Sequence, residues 1–210
     1  MIEILYREKD IVVCKKPVGV LSQGDLGDRA NMVSLLKEQI GEEIYPINRL
    51  DREVGGIVVY ALSKNACAAL NRQITDKTFI KEYKAVVCGL PEENEGELID
   101  LLFKDSRKNK VYAVKRKRKG VKEASLYYWV EKTFEYEGET LSLLKIRLNT
   151  GRTHQIRVQF ASRGMPLFGD RRYGAKTGSN PALFAYKIKF IHPETKEIKE
   201  FSLQPEFIFE

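Results

Sequence analysis

The stretch GRTHQIRVQFASRGMPLFGDRRYG, residues 151–174, couples a helical pattern to a charged, glycine-rich loop. Its first half predicts a helix over Gly151–Arg163. Ile156 and Phe160 stand four apart on one face, and Gly164 follows as a stop. From Pro166 to Asn180 the glycines and charges predict a surface or functional loop. On either side the pattern changes to strand. Residues 79–88 (FIKEYKAVVC), 124–131 (ASLYYWVE) and 140–148 (TLSLLKIRL) precede the stretch, and strands near 183–191 and 197–203 flank the turn HPETKE after it.

Further out, residues 2–6 (IEILY) and 11–15 (IVVCK) read as short strands around a polar turn, and Pro17 and Gly19 end the pattern. Residues 29–40 predict a helix with Val33, Leu36 and Ile40 on one face and Asp28 as its cap. Residues 48–56 (NRLDREVGG) form a polar loop, and Ile57–Ala61 after it is apolar at every position, the pattern of a strand covered on both faces. Ser63 then caps a second helix running to about Lys77, with Ala66, Leu70 and Ile74 inward. The acidic segment 91–97 reads as loop. Residues 104–122 hold ten Lys or Arg against one Asp, but Val111, Tyr112, Ala113 and Val114 lie among them. That mixture predicts a basic β-hairpin turning around Lys119–Gly120 rather than a disordered tail. Strands outnumber the three helices, and neither a repeat nor a polar linker interrupts them, which predicts one α+β domain over residues 1–210.

Composition narrows the function. With 43% hydrophobic residues the chain can bury a substantial core. No run approaches the roughly 18 apolar residues of a membrane span, and MIEILYREKD is not a signal peptide, so a cytoplasmic location with no membrane partner is expected. Cys14, Cys67 and Cys88 are far apart in apolar surroundings and read as buried free thiols. His154 and His192, the only histidines, have no partner at zinc-site spacing, so no metal is expected. A net charge of +7 suits nucleic acid or an acidic membrane surface, or serves solubility alone.

Four segments stand out: the Asp51 loop, Lys81–Tyr83, the basic span, and Gly151–Arg157. With DIVVCKKPVG, NRLDREVGGIVVYALS, KEYKAVVCG and LFAYKIKFIHPETKE in order around residues 151–174, they resemble the RluA-like family of RNA pseudouridine synthases over nearly the whole chain. The resemblance implies the family's α+β catalytic-domain fold, a long, mostly antiparallel sheet with flanking helices and a central cleft. It implies isomerisation of uridine to pseudouridine in structured RNA, rRNA or tRNA, without a cofactor and with no obligate protein partner indicated. Since residue 11 already falls in the catalytic-domain pattern, the small N-terminal RNA-binding domain of many relatives is not expected.

Site residues follow from the same resemblance. Asp51 matches the catalytic aspartate. The reaction breaks N1–C1′, turns the base and joins C5 to C1′, so an anionic oxygen near C1′ can stabilise positive charge on the sugar, attack it, or help remove a proton. The alternative is a carboxylate that caps a turn or pairs with Arg49 or Arg52. Tyr83 matches the active-site tyrosine, suited to stack on uracil or to lie near the C5 proton, against an ordinary strand aromatic. Arg157 matches the arginine that orients the catalytic carboxylate, against a surface helix arginine. Arg49, Arg52, His154 and Gln155 are expected RNA contacts, Arg49 at a phosphate or in the space of an extruded nucleotide, with His154 and Gln155 alternatively shaping the start of the helix. Lys115, Arg116, Lys117, Arg118 and Lys119 are expected to hold the RNA backbone. Three positions depart from the family pattern: Asn48 for a histidine, Val54–Gly55 for threonine-serine, and Gln159 for a histidine. A non-catalytic RNA-binding or RNA-chaperone protein on the same domain is the alternative function; retention of Asp51, Tyr83 and Arg157 favours the enzyme.

Overall fold

The computed structural model describes residues 1–24, 30–205 and 207. In chain order its elements are β1 (Ile4–Glu8), β2 (Ile11–Lys16), α1 (Met32–Ile40), β3 (Tyr45–Pro46), β4 (Gly55–Ala61), α2 (Lys64–Thr75), β5 (Ile80–Cys88), β6 (Glu95–Asp105), β7 (Lys110–Val114), β8 (Val121–Tyr136), β9 (Glu139–Leu148), α3 (Gln155–Ala161), β10 (Leu183–Ile191) and β11 (Ile198–Ser202). They make an α+β fold whose large sheet is mostly antiparallel and flanked by helices, with β10 running parallel to β4. The chain divides into two compact units, Met1–Lys81 with Phe184–Glu206 and Glu82–Leu183 with Phe207–Glu210.

In the first unit β4 lies between β2 and β10, and every one of its residues is buried. That explains the unbroken apolar run: a strand with neighbours on both edges and cover on both faces has no side chain to give to water. Ile57, Val59 and Ala61 share a face with Ile11 and Val13 of β2, and pack with Ala66 and Leu70 of α2 and with Phe79 and Phe190. Each such large side chain contributes about 1.5–3 kcal/mol on burial. Ser63 caps α2, its hydroxyl accepting from Ala66 N at 3.2 Å. Gly56 has φ +125°, and a Cβ there would lie 2.4 Å from Ala185 O; the parallel contact of β4 with β10 requires glycine. The cap expected at Asp28, and Arg29 with it, lie outside the described residues; α1 is capped by Asn31, which accepts from Ser34 N while Ser34 Oγ accepts from Asn31 N.

In the second unit the strands run in the order β5, β9, β8, β6, β7. Ala124, Leu126 and Tyr128 of β8 are buried while Ser125, Tyr127 and Trp129, which alternate with them, are half-exposed, the period-two pattern of a sheet with one covered face. Helix α3 supplies cover: Phe160 meets Tyr128 edge-on with ring centroids 5.6 Å apart, and Val158 joins Leu102, Val111 and Ala124.

Three expectations need correction. The acidic segment is not all loop, for β6 begins at Glu95; Glu95 and Glu97 are exposed, so their charges cost nothing there while the backbone pairs with β8. The basic hairpin does not turn at Lys119–Gly120. β7 and β8 both pair with β6, and the hairpin turns between Asp105 and Lys110, where Asp105 Oδ1 accepts from Arg107 N and Lys108 N. Helix α3 starts at Gln155, because His154 takes a left-handed backbone with φ 49°. Of the three free cysteines, Cys14 is buried and Cys67 and Cys88 are only partly so; burial pushes the Cys14 thiol up to about 12.

Candidate active site

Asp51 sits in the loop that enters β4, and this loop is clamped from within the first unit. Asn48 is buried, and its Oδ1 accepts from Val59 N at 2.8 Å. Ser22 Oγ accepts from Leu50 N and donates to Leu50 O, both at 2.9 Å, and Ser22 O accepts in turn from the buried Tyr60 hydroxyl at 2.8 Å. Gly19 N donates to Arg52 O at 2.8 Å, and Arg52 Nε returns a bond to Gly19 O at 3.0 Å. Leu50 and Val54 are buried on either side of Asp51, whose own side chain is half-exposed. Arg49 and Arg52 are exposed.

Beneath the loop lies Lys16, with 0% of its surface exposed. Its ammonium donates to the carbonyls of Val20 at 2.6 Å, Pro17 at 2.9 Å and Arg52 at 3.3 Å. Burial lowers its pKa to about 8, against the opposing pull of Asp51 and Glu53. Three acceptors match the three donors of an ammonium, so Lys16 ties the turn after β2 to the backbone beside Asp51. The segment DIVVCKKPVG contains this turn but does not by itself mark Lys16. Two lysines stand side by side, and only strand alternation separates the inward one from Lys15.

The second unit carries Tyr83 and Arg157. Tyr83 is buried on β5 opposite Ile146 of β9. Its neighbour Glu82 accepts from Arg147 Nε and Nη2 at 3.0 and 2.6 Å. Arg157 is not a surface arginine: 3% of its side chain is exposed, and it grips Asp170, itself 1% exposed, through Nε–Oδ2 at 2.6 Å and Nη2–Oδ1 at 2.9 Å. This geometry is bidentate and charge-assisted. The Arg157 guanidinium also lies 5.2 Å from the ring centre of Tyr173, whose hydroxyl is 2.7 Å from His154 Nδ1. Asp170 and Tyr173 escaped the sequence reading, although both lie in the GDRRYG segment that it singled out.

The remaining expected residues divide. Lys115, Arg116, Lys117, Arg118 and Lys119 are all exposed, and Arg118 stacks over Phe103 at 4.7 Å. His154 is half-exposed. Gln155, expected as an RNA contact, is buried. Its Oε1 accepts from Thr150 Oγ1 and Arg152 N, and its Nε2 donates to Ser125 O and Gln159 Oε1, so its amide is committed within the second unit. Gln159 is buried as well and donates to Asp100 Oδ2 at 2.8 Å and Leu98 O at 3.1 Å, fastening α3 to β6. Asn48 and Gln159, two of the departures from the family pattern, thus serve as internal braces. His192 is also internal: its Nδ1 accepts from Glu194 N and Thr195 N in the β10–β11 turn. Among the described residues no cluster of His, Cys, Asp and Glu fits a metal ion.

A family model described as RNA pseudouridylate synthase matches residues 10–162. An uncharacterized RNA pseudouridine synthase of Aquifex aeolicus is 35% identical over 97% of the chain and 69% of its own length. The ribosomal large subunit pseudouridine synthase C of Buchnera aphidicola is 31% identical over 91% of the chain and 63% of its own length. The chain therefore spans about two thirds of the length of these relatives. The solved structure of human RNA pseudouridylate synthase domain containing 1 superposes with a TM-score of 0.81 at 23% identity, covering 99% of this chain and 85% of that one. The last likeness is one of fold.

Proposed function

Since the chain belongs to the RNA pseudouridylate synthase family, whose reaction isomerises uridine in RNA, we propose that Asp51 is the catalytic carboxylate and that structured RNA, rRNA or tRNA, is the substrate. The observation that carries the reading is the clamped loop. Lys16, Ser22 and Asn48 fix the backbone on both sides of Asp51 while its carboxylate stays half-exposed between two exposed arginines. A preorganised anion of this kind suits a reaction that develops positive charge at C1′. Arg49 and Arg52 are suited to the phosphates beside an extruded uridine. Tyr83 is assigned to the base that turns between N1–C1′ cleavage and C5–C1′ bond formation, and Arg157, already set by Asp170, to an anionic group of the site.

The test is an assay of the purified protein on rRNA and tRNA carrying tritium at uracil C5, with pseudouridine positions then mapped. Loss of the C5 proton is obligatory in the reaction, so tritium release with a mapped product is the expected result. RNA binding without release on either substrate would move the assignment to a non-catalytic RNA-binding protein.

A further inference from the structure

We infer that Tyr173 is a positioning residue that couples the basic β6–β7 hairpin to Arg157, a reading that rests on the proposed role of Arg157. The tyrosine stands in the short 3-10 turn Arg171–Tyr173 that follows Asp170. Its hydroxyl accepts from Val111 N at 3.0 Å and lies 2.7 Å from His154 Nδ1. A hydroxyl has one proton and two lone pairs, so accepting from Val111 leaves its proton for His154 Nδ1 when that nitrogen is unprotonated. Val111 belongs to β7, the last strand in its sheet order, and pairs with Lys104 of β6 on one side; the phenol takes its amide. A second bond from the same turn, Arg172 Nη2 to Lys108 O at 3.3 Å, holds the hairpin one step nearer its tip.

The other side of Tyr173 faces the helix start. Its ring packs on Leu102, Val111, Ala124 and Val158, and the guanidinium of Arg157 lies 5.2 Å from the ring centre. Lys110, a hairpin cation, stands 5.4 Å from the same ring. His154, immediately before α3, has φ 49°, a left-handed conformation that a non-glycine residue adopts at a cost and keeps only where its surroundings hold it. The Tyr173 hydroxyl is one such hold. A displacement of the hairpin, which carries Lys104, Arg107, Lys108 and Lys110, therefore reaches the phenol through Val111 and reaches Arg157 through the ring and His154. RNA phosphates gathered by these cations bear on the orientation of Arg157 as well as on affinity.

The experiment uses the full chain with Tyr173→Phe, which keeps the ring and removes the hydroxyl. RNA affinity is measured over a salt series, and single-turnover rate is measured at saturating RNA. The rate is expected to fall about ten- to hundredfold while affinity stays within about twofold. The double variant with His154→Ala is expected to lose no more than the worse single variant, because both act in one network. If Tyr173→Phe does not fold, His154→Ala alone carries the test through the single-turnover rate at saturating RNA, where any share of His154 in binding no longer limits the rate. The inference is overturned if the rate at saturation matches wild type while Arg157→Gln is inactive, or if the whole loss is recovered by adding RNA or tracks the unfolded fraction. If Arg157→Gln itself turns over normally, the proposed role of Arg157 falls and this coupling falls with it.

Discussion

Asp170 and Arg157 form a two-point ion pair, 2.6 and 2.9 Å long, with both side chains almost wholly removed from water. The pair fixes an arginine whose long side chain would otherwise sample many rotamers. Breaking a buried pair by removing one partner costs about 3–5 kcal/mol. Asp170→Asn is accordingly expected to lower the urea midpoint sharply and to reduce turnover of the fraction that remains folded. An unchanged midpoint would mean that the pair contributes nothing net.

Asp51→Asn is the complementary case. The substitution keeps the volume and leaves the clamp from Lys16, Ser22 and Asn48 in place, since these hold backbone atoms or the strand beside the loop. Stability is expected to stay near wild type, RNA binding to persist or strengthen slightly, and tritium release to vanish. Turnover at the normal rate would remove Asp51 from the mechanism.

Neutralising Lys115, Arg116, Lys117, Arg118 and Lys119 together is expected to weaken RNA binding and flatten its salt dependence. Each lost phosphate contact takes roughly 0.7–0.9 from the slope of log K against log salt. All five side chains are exposed, and among the described residues only Lys117 approaches a carboxylate, Glu123 at 4.0 Å. A variant with the affinity and slope of wild type would shift the RNA footprint to Arg49, Arg52, Arg171 and Arg172.

Lys16 gives a pH prediction. Its folded pKa, about 8, is below the usual lysine value, so between that pH and about 10.5 the unfolded chain binds the extra proton. The penalty of burying the charge is complete below pH 8 and fades as the pH rises through that window, so wild-type stability gains with pH there, by roughly 3 kcal/mol at most. Lys16→Met should lack this gain and, by removing the ammonium shared by the carbonyls of Pro17, Val20 and Arg52, should loosen the Asp51 loop. Parallel urea titrations of the two proteins from pH 7.5 to about 10.5 measure the difference; superimposable pH profiles would refute it.

Much of the fold could be read where local pattern and tertiary setting agree. The apolar run of β4 announced its double cover, and Ser63 announced α2. The first half of β6 was hidden because Glu95 and Glu97 face solvent, and strand pairing tolerates charge there. The wrong turn assigned to the basic span shows a different limit: periodicity marks β7 and β8 as strands but does not say that both lie against β6. The start of α3 was missed because a histidine, not a glycine, takes the left-handed step. For the chemistry, the motif offers Asp51, Tyr83 and Arg157 as what the resemblance implies. Lys16 and Asp170 emerge only in the folded chain, since their importance lies in what they touch and not in their residue type.

The close approach of Gly56 to Ala185 bears on how the protein is made. Residues 82–183 of the second unit lie between these two residues in the chain, yet β10 pairs with the start of the strand that follows the Asp51 loop. As the polypeptide leaves the ribosome, β4 can pair with β2 early but must wait for residues 183–191 before that edge closes. Until then Gly55 and Gly56 at the start of β4 lack that partner, while β3 and Asn48 already hold the rest of the edge, and the open backbone there is a standing invitation to misassembly. Nascent chains halted before β10 should therefore misassemble more readily at the start of β4, even though every partner that clamps the Asp51 loop, from Lys16 to Tyr60, has by then been made.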